Sequence, residues 1–299
     1  MTDSSIFTAA VRLTPCEPEH ADLAFVATTQ DCPWPKAYGG DLVAQAAAAA
    51  MRSVDDGKVL HSAHSYFLRP ADIGAEVRYE VEVLRDGRGY STRGVRGYQG
   101  GKTIYASLAN FTAGGASGVY EAAFPAGLPG PEELPSSAGY LADRKGGTMT
   151  DESKAYWSLG RGFDMRHVPG PVYLEVEGGH APHQAVWVRP FDALRPVDGL
   201  TTEQRDLAAL AYVCDYTILE PVLRVLDLPW ARPGLVTASL DHSMWFHRPP
   251  RPGEADGWLL YLQEAGAAGA GRGLGTGRFF TPDHHHLATV AQEGMLRTA

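Results

Sequence analysis

The sequence predicts an α+β protein built from two similar units, each an antiparallel sheet curled around a long central helix. Three observations indicate this class: an internal repeat, an apolar helical segment before each copy of the repeat, and alternating polar and apolar residues after it. The chain has 299 residues, of which 44% are hydrophobic. It can therefore bury a full core, and disorder is excluded.

A short motif carries the repeat. Residues 64–70 read HSYFLRP, and residues 242–249 read HSMWFHRP, with one extra residue that a β-bulge would accommodate in a strand. Residues 39–53 and 205–226 precede the two copies and are apolar on nearly all helical faces, so each is predicted to be a buried helix. Pro221 is expected to kink or end the second helix.

Strands are predicted to follow each helix. Alternation at period two indicates a half-buried strand over residues 77–84. An offset of 31 residues leads from Tyr79 to Asn110 and also from Tyr261 to Gln292, so both copies are expected to have strands of equal length. The other predicted segments are a turn over residues 85–89, strands over residues 103–111, 239–246 and 287–296, and early strands of the second unit within residues 163–188.

The region between the two units is rich in Gly, Pro, Ala and Ser, which is typical of a linker. Two such units can pair their sheets edge to edge, which removes an exposed edge from each. The predicted organisation is an N-terminal unit over residues 1–115, a Gly/Pro-rich linker over residues 116–160 and a C-terminal unit over residues 161–299.

Composition and missing motifs exclude several function classes. The formal net charge is −9 without a block of like charges, which argues against nucleic-acid binding. There is no apolar run of the ~18 residues that a membrane helix needs and no signal-peptide pattern, so no membrane association and a cytoplasmic location are expected. The sequence lacks a dinucleotide fingerprint, a phosphate-binding loop and a Cys-x-x-Cys pair, and residues 284–286 (HHH) are interpreted as a turn. Neither a nucleotide cofactor nor a metal is therefore expected.

Three polar residues of the second unit lie in otherwise apolar segments. Asp215 lies inside the predicted helix, Ser239 opens a predicted strand, and Gln292 lies in the closing strand. A carboxylate inside a buried helix is costly unless it is paired or has a function. In a sheet curled around its helix, the two strands can present a hydroxyl and an amide to the carboxylate, and such a set holds and activates a water molecule. Each residue taken alone also fits an ordinary structural role, so the pattern leaves both interpretations open.

Six segments outside residues 113–161 match the pattern of one family. They are YGGDLVAQ at 38–45, HSAHSYFLRP at 61–70, LRDG at 84–87, HQAVWVR at 183–189, ASLDHSMWFHRP at 238–249 and QEGMLR at 292–297. These segments resemble the type II acyl-CoA thioesterases. The string DHSMWFHRP is highly specific, whereas an isolated Gly-Gly pair is not. The resemblance implies a double hotdog fold, with two hotdog units in one chain, and this agrees with the repeat.

The resemblance also implies a function and its residues. Asp215, Ser239 and Gln292 match the catalytic residues of the family. The implied reaction is hydrolysis of an acyl-CoA to a free fatty acid and CoA by an activated water, without a covalent intermediate. Backbone N–H groups at Gly39 and Gly40, at a helix start, are expected to steady the thioester oxygen. No cofactor is expected, because coenzyme A enters only as part of the substrate and the product.

Alignment of the repeats places Asp41, His61 and Asn110 opposite the three catalytic residues, as a degenerate counterpart site. The family usually has Gln where this chain has Asp41. We therefore hold the hypothesis that this carboxylate alters the pocket or creates a second water site. The simpler interpretation of Asn110 is an ordinary polar residue of a strand.

The substrate requires cations for the phosphates of CoA. Six arginines near predicted strand ends are candidates, and each also fits an ordinary surface charge. Residual sheet edges predict a homodimer or a dimer of dimers. The candidate arginines are Arg69, Arg85, Arg88, Arg93, Arg248 and Arg251.

Two alternatives compete with hydrolysis. Hotdog hydratases show Gly-Asp-x-Asn-Pro-x-x-His, and this chain has a single asparagine and no Asn-Pro pair, so that motif is absent. A non-catalytic acyl-CoA binding or scaffold protein with a decayed site is the other alternative. The intact set of Asp215, Ser239 and Gln292 argues against it.

Overall fold

The two copies of the repeated motif lie side by side, on strands that join the two halves of the molecule. The computed structural model describes residues 5–54, 56–115, 117–142, 144 and 149–298. In these residues, thirteen antiparallel strands form one continuous sheet that wraps around buried helices. The predicted α+β class is therefore confirmed.

The first half consists of a short helix, two short strands, a buried helix and four longer strands. Its elements are α1 (Ser5–Ala10), β1 (Thr14–Cys16), β2 (Leu23–Thr28), α2 (Gly39–Met51), β3 (Val59–Phe67), β4 (Glu76–Asp86), β5 (Tyr90–Gln99) and β6 (Lys102–Thr112). Six alanines favour the helical conformation of α2 and let the sheet approach it closely. The strands predicted over residues 77–84 and 103–111 are present and extend further at both ends.

The segment predicted as a linker is partly folded. It contains a 3₁₀ turn (Pro131–Glu133), α3 (Ser137–Ala142), α4 (Asp151–Ala155) and a π-helical turn (Tyr156–Gly160). Ser137 Oγ donates a hydrogen bond to the backbone oxygen of Met165 at 3.0 Å, and Trp157 packs against Tyr173 with ring centroids 4.9 Å apart. These contacts attach the folded part to the second half. Residues 117–130 contain neither helix nor strand.

The second half repeats the order of the first. Its elements are β7 (Phe163–Val168), β8 (His183–Pro190), α5 (Thr202–Val213), α6 (Glu220–Val225), β9 (Val236–Ser239), β10 (Asp241–Phe246), β11 (Leu259–Gly269), β12 (Arg272–Phe280) and β13 (His286–Arg297). The strands predicted within residues 163–188 and over residues 287–296 are present. The strand predicted over residues 239–246 is interrupted at Leu240.

The order of strands in the sheet shows the duplication. From one edge the order is β1-β2-β4-β5-β6-β3, and it continues as β10-β13-β12-β11-β8-β7, with β9 paired to β13. Each strand of the first half therefore has a counterpart at the mirrored position. The halves join between β3 and β10, where Ser65 lies opposite His242 and His64 opposite Ser243. The predicted edge-to-edge pairing of the two units is confirmed.

The second central helix is divided. Helix α5 ends at Val213, a 3₁₀ turn follows over Cys214–Tyr216, and α6 begins at Glu220. Pro221 lies in the first turn of α6, where the missing N–H of proline costs no helical hydrogen bond. The interruption that Pro221 predicted in the second helix is therefore present, but it lies before Pro221, which belongs to the first turn of α6. Asp215 lies in the short turn between the two helices rather than inside a helix.

Candidate active site

Asp215, Ser239 and Gln292 meet where the divided helix faces two strands of its own sheet. Ser239 Oγ donates a hydrogen bond to Asp215 Oδ1 at 3.0 Å. Gln292 Nε2 donates to the same carboxylate oxygen at 2.5 Å and to Ser239 Oγ at 3.0 Å. The three residues selected from the sequence are therefore brought together, in a closed triangle of hydrogen bonds.

A different element fixes each member of this triangle. Asp215 lies in the turn after α5, Ser239 ends β9, and Gln292 lies on β13. Ser239 pairs with Gly294, two residues beyond Gln292, so the hydroxyl and the amide come from one strand pair. Gln292 is fully buried, whereas Asp215 and Ser239 are half-buried. The carboxylate thus lies at the boundary between the core and the outside.

The start of α2, from the first half of the chain, closes the site on its other side. A Cβ atom on Gly39 would lie 2.7 Å from Asp215 Oδ2, and one on Gly40 would lie 2.4 Å from the backbone oxygen of Tyr212. Real Cβ atoms essentially never come within 3.0 Å of another heavy atom, so the two approaches require glycine. The first amides of a helix have no intrahelical acceptor and carry the positive end of the helix dipole. They are therefore suited to an anionic oxygen beside Asp215.

His242 extends the hydrogen-bond network into the interior. Its Nδ1 lies 2.9 Å from Gln292 Oε1, and its Nε2 lies 3.7 Å from Cys214 Sγ. The ring is fully buried, and burial lowers the pKa of His242, so the imidazole is neutral. Sequence reasoning used this histidine only to align the repeat. The signal that points to it is the period of a strand, because His242 shares the inward face with the apolar Met244 and Phe246.

Asp41 is a second carboxylate near the site, in the first turn of α2. It is fully buried, and its Oδ2 accepts a hydrogen bond from the backbone N–H of Gln30 at 2.7 Å. Among the residues that the structure describes, no donor contacts the other oxygen, Oδ1. Burial, with a smaller contribution from the charge of Asp215, raises the pKa of Asp41 to about 7.

The register of the sheet gives an independent match between the two halves. Ser239 pairs with Gly294 of β13, and the pairing with β13 is shifted by one residue in the following strand, β10. Leu60 pairs with β6 just before the same slip. Matching the two slips places Leu60 at the position of Ser239 and Ala109 at the position of Gln292. Both first-half residues are buried and apolar, so neither side chain can hold a water molecule.

Asp41, His61 and Asn110 consequently do not form the counterpart site that the repeat alignment predicted. His61 is the residue at the slip, and Asn110 points away from the helices because its neighbours Ala109 and Phe111 are buried. No hydrogen bond joins the three residues in the described part of the chain. The alignment was anchored on the His-Ser pair, and the extra residue in the second copy shifted it by one. A shift of one residue along a strand reverses the face.

Comparison with known proteins identifies the family. The family model for the acyl-CoA thioesterase N-terminal domain matches residues 30–112, and the model for the C-terminal domain matches residues 131–296. Acyl-CoA thioesterase 2 of Haemophilus influenzae is 30% identical to this chain, over 92% of the chain and 93% of that protein. The chain belongs to the type II acyl-CoA thioesterase family. The prediction of a thioester hydrolase is thereby confirmed at the level of the family.

Solved structures show the fold of this thioesterase family over nearly the whole chain. The acyl-CoA thioesterase II TesB2 of Mycobacterium marinum is 32% identical and superposes with a TM-score of 0.72, covering 97% of this chain and 96% of that one. A protein with a hot dog fold from Alicyclobacillus acidocaldarius superposes with a TM-score of 0.75, covering 98% of each chain. At 18% identity the second match shows the fold alone. The double hotdog fold is confirmed.

Two of the arginines suggested for the CoA phosphates are engaged within this thioesterase. Arg93 is only 3% exposed, donates to Ser53 Oγ at 2.9 Å and pairs with Asp86 at 2.8 Å. Arg248 holds Glu254 through two hydrogen bonds of 2.7 and 3.0 Å. These contacts remove both guanidinium groups from the set that can meet a phosphate. The exposed candidates are Arg69, Arg85, Arg88 and Arg251.

Of the three consecutive histidines, His284 and His285 lie in the turn between β12 and β13, as predicted, whereas His286 is the first residue of β13. His284 stacks on Phe124 with ring centroids 4.1 Å apart, and His285 Nδ1 lies 3.1 Å from Glu121 Oε2. No group of three or more His, Cys, Asp or Glu side chains in the described residues is arranged to hold a metal ion. None of the helices in the described ranges is both long enough and apolar enough to cross a membrane.

Proposed function

We propose that the chain hydrolyses acyl-CoA to a free fatty acid and CoA with a water molecule that Asp215 activates, without a covalent intermediate. One observation carries this proposal. Oδ1 of Asp215 is occupied by hydrogen bonds from Ser239 and Gln292, whereas no donor in the described residues contacts Oδ2. Oδ2 also faces the first residue of α2. The carboxylate therefore has one oxygen fixed for position and one oxygen left to act as a base.

The reaction follows from this placement. Oδ2 of Asp215 takes a proton from the water while the water oxygen bonds to the thioester carbon. The electron pair of the carbonyl moves to its oxygen, and the backbone N–H groups of Gly39 and Gly40 stabilise the oxyanion. When the C–S bond breaks, Asp215 returns the proton to the departing thiolate. The products are the free fatty acid and the thiol of CoA.

A cysteine nucleophile is not part of this mechanism. Cys214 adjoins Asp215 but is fully buried, and burial together with the nearby carboxylate raises the pKa of its thiol well above the ordinary value. Nucleophilic attack requires the thiolate. Cys214 therefore stays protonated and serves as a partner of His242.

The substrate contacts and the assembly belong to the same proposal. Arg69 and Arg88 are exposed and are proposed to meet the phosphates of CoA. A homodimer or a dimer of dimers is proposed because a contiguous apolar patch crosses the outer face where the halves join. In this patch, Tyr66 is 63% exposed and Leu108 is 54% exposed, and Trp245 packs against His64 beside them. Sedimentation velocity of the wild type and of Leu108→Ser tests the assembly, and a monomeric wild type would exclude it.

Release of free thiol from a panel of acyl-CoAs tests the proposed reaction. The panel runs from short to long and from straight to branched acyl chains, and compares the wild type with Asp215→Asn. We expect the substitution to lower kcat by about 10²-fold or more. Asp72→Asn is the matched control, because this exposed carboxylate lies at the surface, where it pairs with Lys36 at 2.7 Å. The control is expected to keep wild-type turnover.

Other outcomes of this experiment point to different functions. Bound acyl-CoA without any thiol release from the wild type would favour a non-catalytic acyl-CoA binding or scaffold protein. Release that survives Asp215→Asn would move the chemistry away from Asp215, and Asp41 would be the next carboxylate to test.

A further inference from the structure

We propose that His242 is a positioning residue that fixes the amide of Gln292 in the orientation needed by the catalytic carboxylate. This inference rests on the proposed function, in which Gln292 holds Asp215. His242 does not contact the triangle's carboxylate or hydroxyl directly in the described network. It acts through the oxygen of the Gln292 side chain.

A side-chain amide has two ends that are nearly equal in size but opposite in hydrogen bonding. Asp215 Oδ1 only accepts hydrogen bonds when ionised, and it lies 2.5 Å from Gln292 Nε2. If the amide turned over, Gln292 Oε1 would face a carboxylate oxygen at that distance, and the repulsion would move Asp215. The working orientation therefore requires a donor on the opposite side of the amide.

His242 supplies this donor. Its Nδ1 lies 2.9 Å from Gln292 Oε1, so Nδ1 carries the hydrogen. Burial keeps the ring neutral, so Nε2 carries no hydrogen. It lies 3.7 Å from Cys214 Sγ, whose thiol donates to the backbone oxygen of Ala211 at 3.3 Å. Ser65 on β3 donates to the backbone oxygen of His242 at 3.1 Å and fixes the strand.

Side-chain contacts close a ring that begins and ends in one turn. Cys214 and Asp215 are adjacent in the 3₁₀ turn after α5. From Cys214 the contacts run to His242, then to Gln292, and back to Asp215. Because Gln292 Nε2 donates to Asp215 while Gln292 Oε1 accepts from His242 Nδ1, the tautomer of His242 and the orientation of Gln292 depend on each other.

The first half of the chain supports a joint role of these residues. The sheet register that matches Leu60 with Ser239 and Ala109 with Gln292 also places Ala63, which lies opposite Ala109, at the position of His242. The first half therefore has an apolar residue at every one of these positions. The histidine and the amide that it contacts are thus both replaced by alanine in the first half, as expected if the two residues act together.

Steady-state thiol release from the acyl-CoA panel tests the inference through a double-mutant cycle. His242→Leu, Gln292→Ala and the double variant are compared with the wild type. We expect His242→Leu to lower kcat by about 10-fold or more with KM changed by less than about 3-fold, and to cause no further loss in the Gln292→Ala background. An equal loss in both backgrounds would overturn the inference, because it indicates a general effect on packing.

A near-isosteric pair of variants covers the case in which His242→Leu does not fold. His242→Asn keeps an N–H donor at the position of Nδ1, whereas His242→Asp has only acceptors there. We expect Asn to retain most of the turnover and Asp to lose it. Equal activity of the two variants would overturn the inference.

A spectroscopic measurement separates the two proposals. Nitrogen-15 NMR of labelled histidine in the wild-type protein is expected to show His242 as the Nδ1–H tautomer, and an Nε2–H tautomer would overturn the inference. If Gln292→Ala keeps wild-type kcat, the proposed water mechanism fails whatever the tautomer. If Gln292→Ala loses activity while His242→Leu keeps it, only the inference about His242 fails.

Discussion

Replacement of Gly39 by alanine places a methyl group against the carboxylate proposed as the base. The new Cβ would lie 2.7 Å from Asp215 Oδ2 and 3.2 Å from the ring of Phe67, and ordinary contact begins at 3.4 Å. To lengthen the distance between the new Cβ and Asp215 Oδ2 from 2.7 Å to 3.4 Å, the carboxylate or the helix start must move by about 0.7 Å. Because Ser239 and Gln292 hold the other oxygen of Asp215, the movement distorts the whole triangle.

The expected result is a large loss of activity with a small change in stability. Misplacement of a catalytic group by about 1 Å costs on the order of 10²-fold in rate, so we expect kcat of Gly39→Ala to fall by roughly 10- to 100-fold. Alanine favours the helix over glycine by up to about 1 kcal/mol, which offsets part of the crowding energy. Thiol release and thermal unfolding measure the two quantities separately.

A second glycine provides the control for this substitution. A Cβ on Gly89, in the turn between β4 and β5, would meet no described atom within 4 Å. Gly89→Ala is therefore expected to keep both kcat and the melting temperature. If Gly39→Ala also keeps wild-type kcat at an unchanged melting temperature, Asp215 Oδ2 is not the oxygen that handles the water, and the proposed geometry is refuted.

Three further predictions concern Asp41, Arg93 and Cys214. The folded-state pKa of Asp41, raised by burial to about 7, lies above its unfolded value, so its ionisation destabilises the fold as pH rises from about 4 to 7, by at most about 4 kcal/mol. Asp41→Asn is expected to remove this loss in urea unfolding at about pH 5 and about pH 8, and unchanged turnover would eliminate the second water site. Arg93→Met is expected to lower the unfolding free energy by about 1–3 kcal/mol without raising KM for acyl-CoA, and a raised KM would restore Arg93 as a phosphate ligand. Cys214→Ser keeps a donor to the backbone oxygen of Ala211 and is expected to retain most of kcat; a complete loss would show that the thiol itself reacts.

The fold was predictable from the sequence because the repeat shows the duplication directly. The two motif copies predicted a duplication, and the structure shows them on β3 and β10, the strands that join the halves. The division of the second helix was not predictable from apolar pattern, since residues on both sides of the break are buried and apolar. The break depends on how the turn at Cys214–Tyr216 packs against the sheet, which is a tertiary effect.

Residues of the candidate site were predictable where a polar residue interrupts an apolar segment. They were not predictable where the alignment of the two repeat copies had to be correct to a single residue. Asp215, Ser239 and Gln292 were found by the first criterion. The counterpart set of His61 and Asn110 failed by the second, because a one-residue shift exchanges the two faces of a strand. The sequence does not show where the extra residue is inserted in the strand. The pairing of strands in the structure gives this position.

The two halves contribute to the candidate site in different ways, and in the described residues the counterpart positions of the first half form no such triangle. The second half supplies the carboxylate in the turn where its helix is divided, and the first half supplies the uninterrupted helix start at Gly39. In the first half, the carboxylate of Asp41 lies within the first turn of an intact helix. The strands beside this helix carry the apolar residues Leu60 and Ala109. Asp41 thus lacks both the hydroxyl and the amide that fix Asp215. A carboxylate without these donors is held in its charged form only weakly, which agrees with the raised pKa of Asp41. The break in the second helix therefore places Asp215, the proposed base, at the surface of the core and beside the start of the first helix.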